Sequence, residues 1–353
     1  MHIDEVVHSW PGRLCCSRFD EETGAFLTIA VDSTQRGPAA GGTRAMVYES
    51  FGDAVRDATR LASSMTSKMV AAGLPMGGGK SVIALPVPRA QLEPEVWQRI
   101  LDRHAENLAM LNGSYFTGPD IGTGPADMDV LHQRCGFAFG RSEQAGGPGS
   151  SAPETAHGVY VAVRAAAREA GMPELDGATV VVQGLGAVGM DVARRLAGQG
   201  ARLVAADVDA LACERAADEL GARIIGVDDV LGFAGDVFVP CAVGNMVDDV
   251  VASGIDTRVV AGAANNVLAS DSAARVLSRR GIVYAPDFVA NGGGAIHLIG
   301  REVLGWGPEK VAAKVEDIAH TLERIFRTAR ALRISTDEAA HRLVRESLDQ
   351  AAA

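Results

Sequence analysis

Residues 179–207 read TVVVQGLGAVGMDVARRLAGQGARLVAAD. An apolar run leads directly into Gly184, Gly186 and Gly189, spaced G-x-G-x-x-G, and then into a helical pattern. In that setting the first glycine allows a tight turn, the second lets a pyrophosphate reach backbone N–H groups, and the third lets helix and strand pack closely. Leu185, Ala187 and Val188 supply the rest of the loop. A second apolar run ends in Asp207, 18 residues past the third glycine, where a carboxylate can accept hydrogen bonds from ribose hydroxyls. Asp207 would repel a 2′-phosphate and no arginine follows it in VDAL, so NAD is expected over NADP. Arg202 and Arg215 are near enough to keep NADP open, and the same fold with an empty site is the plain alternative.

Around this stretch, GATVVVQ, ARLVAAD, ARII, DVFVPCA, RVVAGAAN and IVYAPD alternate with helical segments. Continuous apolar runs between helices indicate parallel strands covered on both faces. Residues 151–334 are therefore expected to form a Rossmann-like, doubly wound NAD-binding domain. Residues 141–155, RSEQAGGPGSSAPET, lack an apolar period and read as a linker. A chain of 353 residues suits two domains of roughly 150 to 200 residues each. Residues 1–150 then form an N-terminal α/β substrate domain, with a cleft between the two. Within it, 24–33 read as a strand, GPAAGGTRA (37–45) as a glycine-rich loop and 53–72 as a helix. KSVIALPV reads as a buried strand starting at Lys80, with the glycines before it letting backbone or ligand approach. Residues 96–111 read as a helix and 114–131 as a loop. The pattern at about 335–353 is an amphipathic helix that packs back on the first domain or on a partner subunit.

A net charge of −11 argues against nucleic acid and anionic membrane surfaces, which require excess positive charge. Small molecules are the expected partners. Cys15, Cys16, Cys135, Cys213 and Cys241 form no C-x-x-C pair and have no regular spacing to histidines, so neither disulfides nor a metal site is expected. A reduced, cytoplasmic setting fits. The opening MHIDEVVHSW has acids where a signal peptide would have positive charge, and no apolar run of about 18 residues occurs.

PMGGGKS, residues 75–81, looks like a phosphate loop, but G-x-x-x-x-G-K-[ST] requires glycine where Leu74 stands. The lysine needs another reason. Only four of the 33 basic residues are lysines: Lys68, Lys80, Lys310 and Lys314. A chain that uses arginine for plain positive charge keeps lysine where a compact ammonium must be able to lose its proton. Lys310 and Lys314 lie in a polar helical pattern and read as solvated. Lys68 falls on the apolar face of the 53–72 helix, near Met65; it either snorkels out at the helix end or serves a site. Asp120 follows Gly-Pro, where an aspartate ordinarily braces its turn.

In order, GGTR (41–44), MTSKM (65–69), LPMGGGKS (74–81), TGPDIGT (117–123), GLGAVG (184–189), VVAGAANN (259–266) and YAPDFVANGGGAIHL (284–298) resemble the glutamate/leucine/phenylalanine/valine dehydrogenase family. The resemblance covers about residues 24 to 306. It implies NAD-dependent, reversible oxidative deamination of an L-amino acid to a 2-oxo acid, ammonia and NADH, by a homo-oligomer. It implies that Lys68 binds the substrate carboxylate, that Lys80 activates water and supports the carbinolamine steps, and that Asp120 exchanges protons with the amino group and the reaction water. A lysine base must lose a few pKa units, for which burial and the nearby cation Lys68 are expected, while Asp120 pushes the other way. Lys80 and Asp120 are therefore read as one coupled unit. The resemblance also implies cofactor contacts at Thr155, Cys241, Ala242 and Asn265, and more loosely at Ser151 and Arg44. Cys241 has no local histidine to form a thiolate pair, so a backbone contact is expected of it.

The same resemblance places Gly42, Met65, Gly118, Asn265, Ala295 and Leu298 around the substrate. Gly118 and Ala295 are smaller than the alanine and valine that branched-chain enzymes tend to carry. Such differences discriminate by about 1–3 kcal/mol per methylene, and added volume favours an aromatic side chain. GGAIHLIGREVLGW is similar to phenylalanine dehydrogenases of actinobacteria. L-Phenylalanine is thus the expected substrate, with leucine or valine as the alternative; a second substrate carboxylate would find no partner at Ala295 or Leu298. A catalytically silent NAD-binding regulator and a phosphotransferase built on GGGKS are the readings from other classes. A silent relative has no chemical reason to keep Lys68, Lys80 and Asp120 together.

Overall fold

The structure, a computed structural model, describes residues 10–352; the first nine residues, read above for an export signal, and the last residue of the 335–353 pattern lie outside it. The chain divides into two units. One comprises Met1–Gly149, Leu298–Trp306 and Ser347–Ala353, and the other Ser150–His297 and Gly307–Glu346.

The first unit is built on a five-stranded sheet. Strands β1 (Leu14–Asp20), β2 (Ala25–Ser33), β3 (Ala39–Met46), β4 (Gly77–Ala84) and β5 (Tyr115–Pro119) take the order β1-β2-β4-β3-β5. β3, β4 and β5 are parallel, and β2 runs antiparallel to both β1 and β4. The two-residue period of a strand gives the sheet two faces. Ala30, Val82 and Ala84 pack on Ala54, Ala58 and Ala62 of helix α1 (Phe51–Ala71). Leu27, Ile29 and Ile83 meet Ile100, Leu101 and Leu108 of helix α2 (Pro94–Met110) on the other face. Helix α3 (Pro125–Cys135) packs beside α2.

Several readings of this half change. GPAAGGTRA forms β3, an inner strand, because small residues suit its crowded place: a Cβ on Gly41 would lie 1.8 Å from the Gly79 carbonyl oxygen. β4 begins at Gly77, so Lys80 stands within a strand, 5% exposed. Residues 114–131 contain β5, the Asp120 turn and the first part of α3. The glycines before Lys80 serve the chain's own packing. A Cβ would lie 1.8 Å from the Ser33 carbonyl oxygen at Gly77, 2.0 Å from the Thr66 nitrogen at Gly78, and 2.7 Å from the Tyr115 ring at Gly79.

The second unit opens with helix α4 (Ala152–Glu169), so the 141–155 linker is shorter than its composition suggests. Arg141 already pairs with Glu302 at 2.7 Å and Ser142 Oγ with Asp129 at 2.6 Å. Beyond α4 come β6 (Thr179–Gln183), helix α5 (Ala187–Ala197), β7 (Arg202–Ala206), β8 (Arg223–Ile224), β9 (Val237–Pro240), β10 (Val259–Val260) and β11 (Val283–Tyr284). The strands form a parallel sheet in the order β11-β10-β9-β6-β7-β8, the doubly wound arrangement. Among the described residues, no helix is long and apolar enough to cross a membrane, and no His/Cys/Asp/Glu group is suited to a metal ion.

Gly78→Ala drives a methyl group into the α1 backbone. Overpacking costs about 1–3 kcal/mol, and this variant is expected to lower the thermal midpoint measured by circular dichroism by at least that equivalent. Gly254→Ala, where a Cβ meets nothing within 4 Å, is the matched control and should leave the midpoint nearly unchanged.

Candidate functional site

The parallel register of β3, β4 and β5 brings three motifs side by side. Gly42 pairs with Gly118, Thr43 with Ser81, and Asp120 leaves the end of β5. Lys80 Nζ lies 2.9 Å from Asp120 Oδ2, and Arg44 Nε reaches the same oxygen at 2.9 Å. Gly42 is what leaves room in front of them: a Cβ there would lie 2.9 Å from Asp120 Cβ and 3.2 Å from Lys80 Nζ. The Asp120 backbone N–H donates to Thr123 Oγ1, which in turn donates to the Thr43 carbonyl at 2.7 Å, so the turn is braced onto β3. Arg44 Nη1 lies 2.9 Å from Asp57 Oδ2, which also accepts from the Tyr48 hydroxyl at 2.8 Å.

Burial lowers the proton affinity of Lys80; Asp120 opposes this and Arg44 adds to it, and the net direction is down. For Asp120, burial works toward protonation, but Lys80 and Arg44 outweigh it and hold the carboxyl below the usual range. Both shifts favour a carboxylate that stays ionised beside an amine that gives up its proton readily. Lys68 was the cation expected to act on Lys80; Arg44 acts on it in the same direction. Lys68 is half-buried in the last turn of α1, and Met65, also half-buried, has its Cγ 3.4 Å from the place a Gly41 Cβ would occupy.

Behind the pair, on the α2 face, lies a polar cluster that sequence reasoning missed. Thr43 Oγ1 is 2.7 Å from Ser81 Oγ, 2.6 Å from Thr117 Oγ1 and 3.1 Å from His104 Nε2. The Tyr115 hydroxyl donates to Ser81 and Thr117. The available signal was adjacency, since Thr43, Ser81 and Thr117 each neighbour a motif residue in sequence. His104 is fully buried, and burial lowers its pKa to about 4.

The volume expected from Gly118 is not open. A Cβ there would lie 2.4 Å from Cε2 of Phe139, a buried ring whose backbone N–H donates to the Thr117 carbonyl at 2.8 Å. Leu298 is half-buried, its Cδ1 3.5 Å from the place a Gly140 Cβ would take. Phe139 lies outside every quoted motif, so sequence offered no sign of it.

In the second unit the three fingerprint glycines have different surroundings. Gly184 has φ +91° and sits against Cys241 and Ala242, where a Cβ would approach to 2.9–3.0 Å. At Gly189 a Cβ would lie 1.9 Å from the Gly184 carbonyl oxygen, whereas at Gly186 it would meet nothing within 4 Å. Gly186 caps α5 with no side-chain acceptor for the first-turn N–H groups, and Ala187 beside it is exposed. Leu185 is buried and donates its N–H to Asp207 Oδ2, while Asp209 N–H donates to Oδ1 at 2.8 Å. Val188 is half-buried. An open helix N-terminus over a tightly held loop, with a carboxylate at the next strand end, fits a dinucleotide.

Thr155 Oγ1 donates to the Ser151 carbonyl at 2.8 Å, and both residues lie against Gly294. Asn265 Oδ1 accepts from Asn291 Nδ2 at 2.9 Å, and Ala295 is half-buried. Cys241 is half-buried as a residue, and enclosure of its thiol pushes the pKa up to about 12, so it carries no thiolate near neutrality.

Residues 21–136 match the family model described as Glu/Leu/Phe/Val dehydrogenase, dimerisation domain. Residues 146–213 and 209–351 match that of glutamate/leucine/phenylalanine/valine dehydrogenase. A leucine dehydrogenase of Geobacillus stearothermophilus is 39% identical over 331 residues, covering 94% of this chain and 89% of that protein. A phenylalanine dehydrogenase of Caldalkalibacillus thermarum is 38% identical over 339 residues, covering 94% and 90%. The crystal structure of L-tryptophan dehydrogenase from Nostoc punctiforme aligns with a TM-score of 0.86 at 30% identity over 99% of each chain.

His104 makes the fold sensitive to acid. Its folded pKa, about 4, lies below that of a free imidazole, so its share of stability is present above about pH 6.5 and is lost as the pH falls toward 4. At full proton uptake the loss is on the order of 3 kcal/mol. His104→Gln removes this share, and the difference in thermal midpoint between wild type and variant is expected to shrink steadily from about pH 6.5 to about pH 4.5.

Proposed function

The chain belongs to the glutamate/leucine/phenylalanine/valine dehydrogenase family of amino-acid dehydrogenases, and from that premise we propose that it deaminates an apolar L-amino acid, L-phenylalanine first, with NAD as acceptor. The observation that carries this reading is the buried Lys80 ammonium 2.9 Å from Asp120, in a chain that otherwise prefers arginine.

In this reading Lys68 binds the α-carboxylate of the substrate, beside Gly42 and Met65. Gly184–Gly189 would hold the pyrophosphate of NAD and Asp207 its ribose, and the bound cofactor would accept the hydride from the α-carbon. Lys80 in its neutral form takes a proton from the water that adds to the resulting imine carbon. Asp120, as the carboxylate, first takes a proton from the substrate ammonium so that hydride can leave, and later returns it to the carbinolamine nitrogen. As the C–N bond breaks, the carbinolamine hydroxyl gives its proton to Asp120, and ammonia and the 2-oxo acid leave. Lys80 Nζ faces Asp120 Oδ2 directly, so their proton transfers are coupled rather than divided between them. Thr155, Ser151, Cys241, Ala242 and Asn265 are assigned to the nicotinamide end. Asp207 supports NAD over NADP through repulsion of a 2′-phosphate.

Ala295 and the sequence GGAIHLIGREVLGW support L-phenylalanine. Phe139, filling the space beside Gly118, favours leucine or valine as a second reading. A homo-oligomer is supported by an apolar edge on the first sheet: half-exposed Phe19 and Phe51 lie 5.6 Å apart, and Phe51 stacks on Phe26 at 4.6 Å.

NADH absorbance from NAD and each L-amino acid at alkaline pH tests the assignment. Production with L-phenylalanine is expected, production with leucine alone selects the second reading, and none with any amino acid sinks the proposal. Lys80→Ala should lower kcat by about 10²–10⁴-fold while NAD affinity, read by fluorescence titration, stays the same. Phe139→Ala is expected to raise kcat/KM for phenylalanine relative to leucine by about tenfold.

A further inference from the structure

Arg44 was expected at the cofactor, yet its guanidinium is committed within the first unit. Nε lies 2.9 Å from Asp120 Oδ2, the oxygen that also faces Lys80 Nζ, and Nη1 lies 2.9 Å from Asp57 Oδ2. Asp57 is itself held: its Oδ2 accepts from the Tyr48 hydroxyl at 2.8 Å, and its Oδ1 lies 2.7 Å from Arg60 Nη2. The side chains of Arg44 and Asp57 are each only 16% exposed. A planar fork with fixed donor spacing can bridge two carboxylates in this way, which an ammonium cannot.

We propose that Arg44, braced by Asp57 and Tyr48, is the positioning residue of the catalytic pair: it pins the shared Asp120 oxygen in front of Lys80 and serves that pair rather than the cofactor. The inference rests on the proposed roles of Lys80 and Asp120. The charged and titratable groups facing the pair are Arg44 from β3, Tyr48 from the turn after it, Asp57 from α1 and Tyr115 from β5; Arg60 is held on Asp57, and Lys68 lies further along α1. Of these, Arg44 works to remove the proton from Lys80, whereas Asp57 works to retain it.

The test reads Lys80 directly, without relying on turnover. With only four lysines in the chain, the pH dependence of Lys80 acetylation by acetic anhydride can be followed on its own peptide by mass spectrometry. Arg44→Gln is expected to move the labelling midpoint up by about one unit, with NAD affinity within about twofold of wild type. Asp57→Asn should move it slightly down. Arg44→Lys, which keeps the charge but not the fork, should restore less than half of the shift. A general loosening of the fold would move Arg44→Gln and Asp57→Asn in the same direction, and that result overturns the proposal. So does an unmoved midpoint with NAD binding weakened tenfold or more, which would return Arg44 to the cofactor. If Arg44→Gln does not fold, the opposite signs expected of Arg44→Lys and Asp57→Asn decide the question. Loss of deamination in the amino-acid screen would refute the reaction while leaving these labelling shifts measurable.

Discussion

An ammonium group inside a strand is tolerated only if its charge is answered nearby or given up. Lys80 is almost wholly buried, and both outcomes are arranged around it. Burial and Arg44 pull its proton off, while Asp120 at 2.9 Å holds the proton on. The net direction is toward the free amine, as a base requires. Much else in the first unit follows from keeping Asp120 in place. Thr123 braces its turn onto β3, Arg44 pins the oxygen that faces Lys80, and the register of three parallel strands brings Gly42, Lys80 and Asp120 to one spot.

Glycine does two different jobs in this chain, and the space around each one tells them apart. At Gly77, Gly78 and Gly79 a methyl group would collide with the protein's own backbone or with Tyr115. Those residues let α1 and the neighbouring strands close around β4. At Gly186 a methyl group would meet nothing of the protein, although the glycines on either side are tightly enclosed. A held loop with one open position at a helix N-terminus is what close approach of a pyrophosphate needs. The GGGKS stretch, which resembles a phosphate loop when read as letters, is a packing device. GLGAVG combines packing with an open position.

Selectivity for the substrate side chain follows a similar logic. A small residue enlarges a pocket only if nothing else moves in, and beside Gly118 the ring of Phe139 has moved in. The pairing that delivers it, Phe139 N–H to the Thr117 carbonyl and Thr117 N–H to the Phe137 carbonyl, joins segments about twenty residues apart in the chain. Reading pocket size from one position at a time therefore overestimates the space.

The residues alone determined the parts of this protein that depend on local pattern. The apolar runs from residue 177 onward mark the strands of the second sheet, because inner strands covered on both faces must be apolar, while the edge strand β8 is exposed. The glycine spacing and Asp207 mark the dinucleotide loop because backbone conformation and close approach there depend on residue type alone. The scarcity of lysine drew attention to Lys80 before any fold was known. Tertiary structure decided what depends on pairing between distant segments. It made GPAAGGTRA a strand, since its glycines are justified only by the neighbours they admit. It brought Arg44 to act on Lys80, put His104 behind the pair, and filled the space beside Gly118. Charge interactions fall off over a few ångströms and packing over less, so both are fixed by register and helix placement, which no single segment contains.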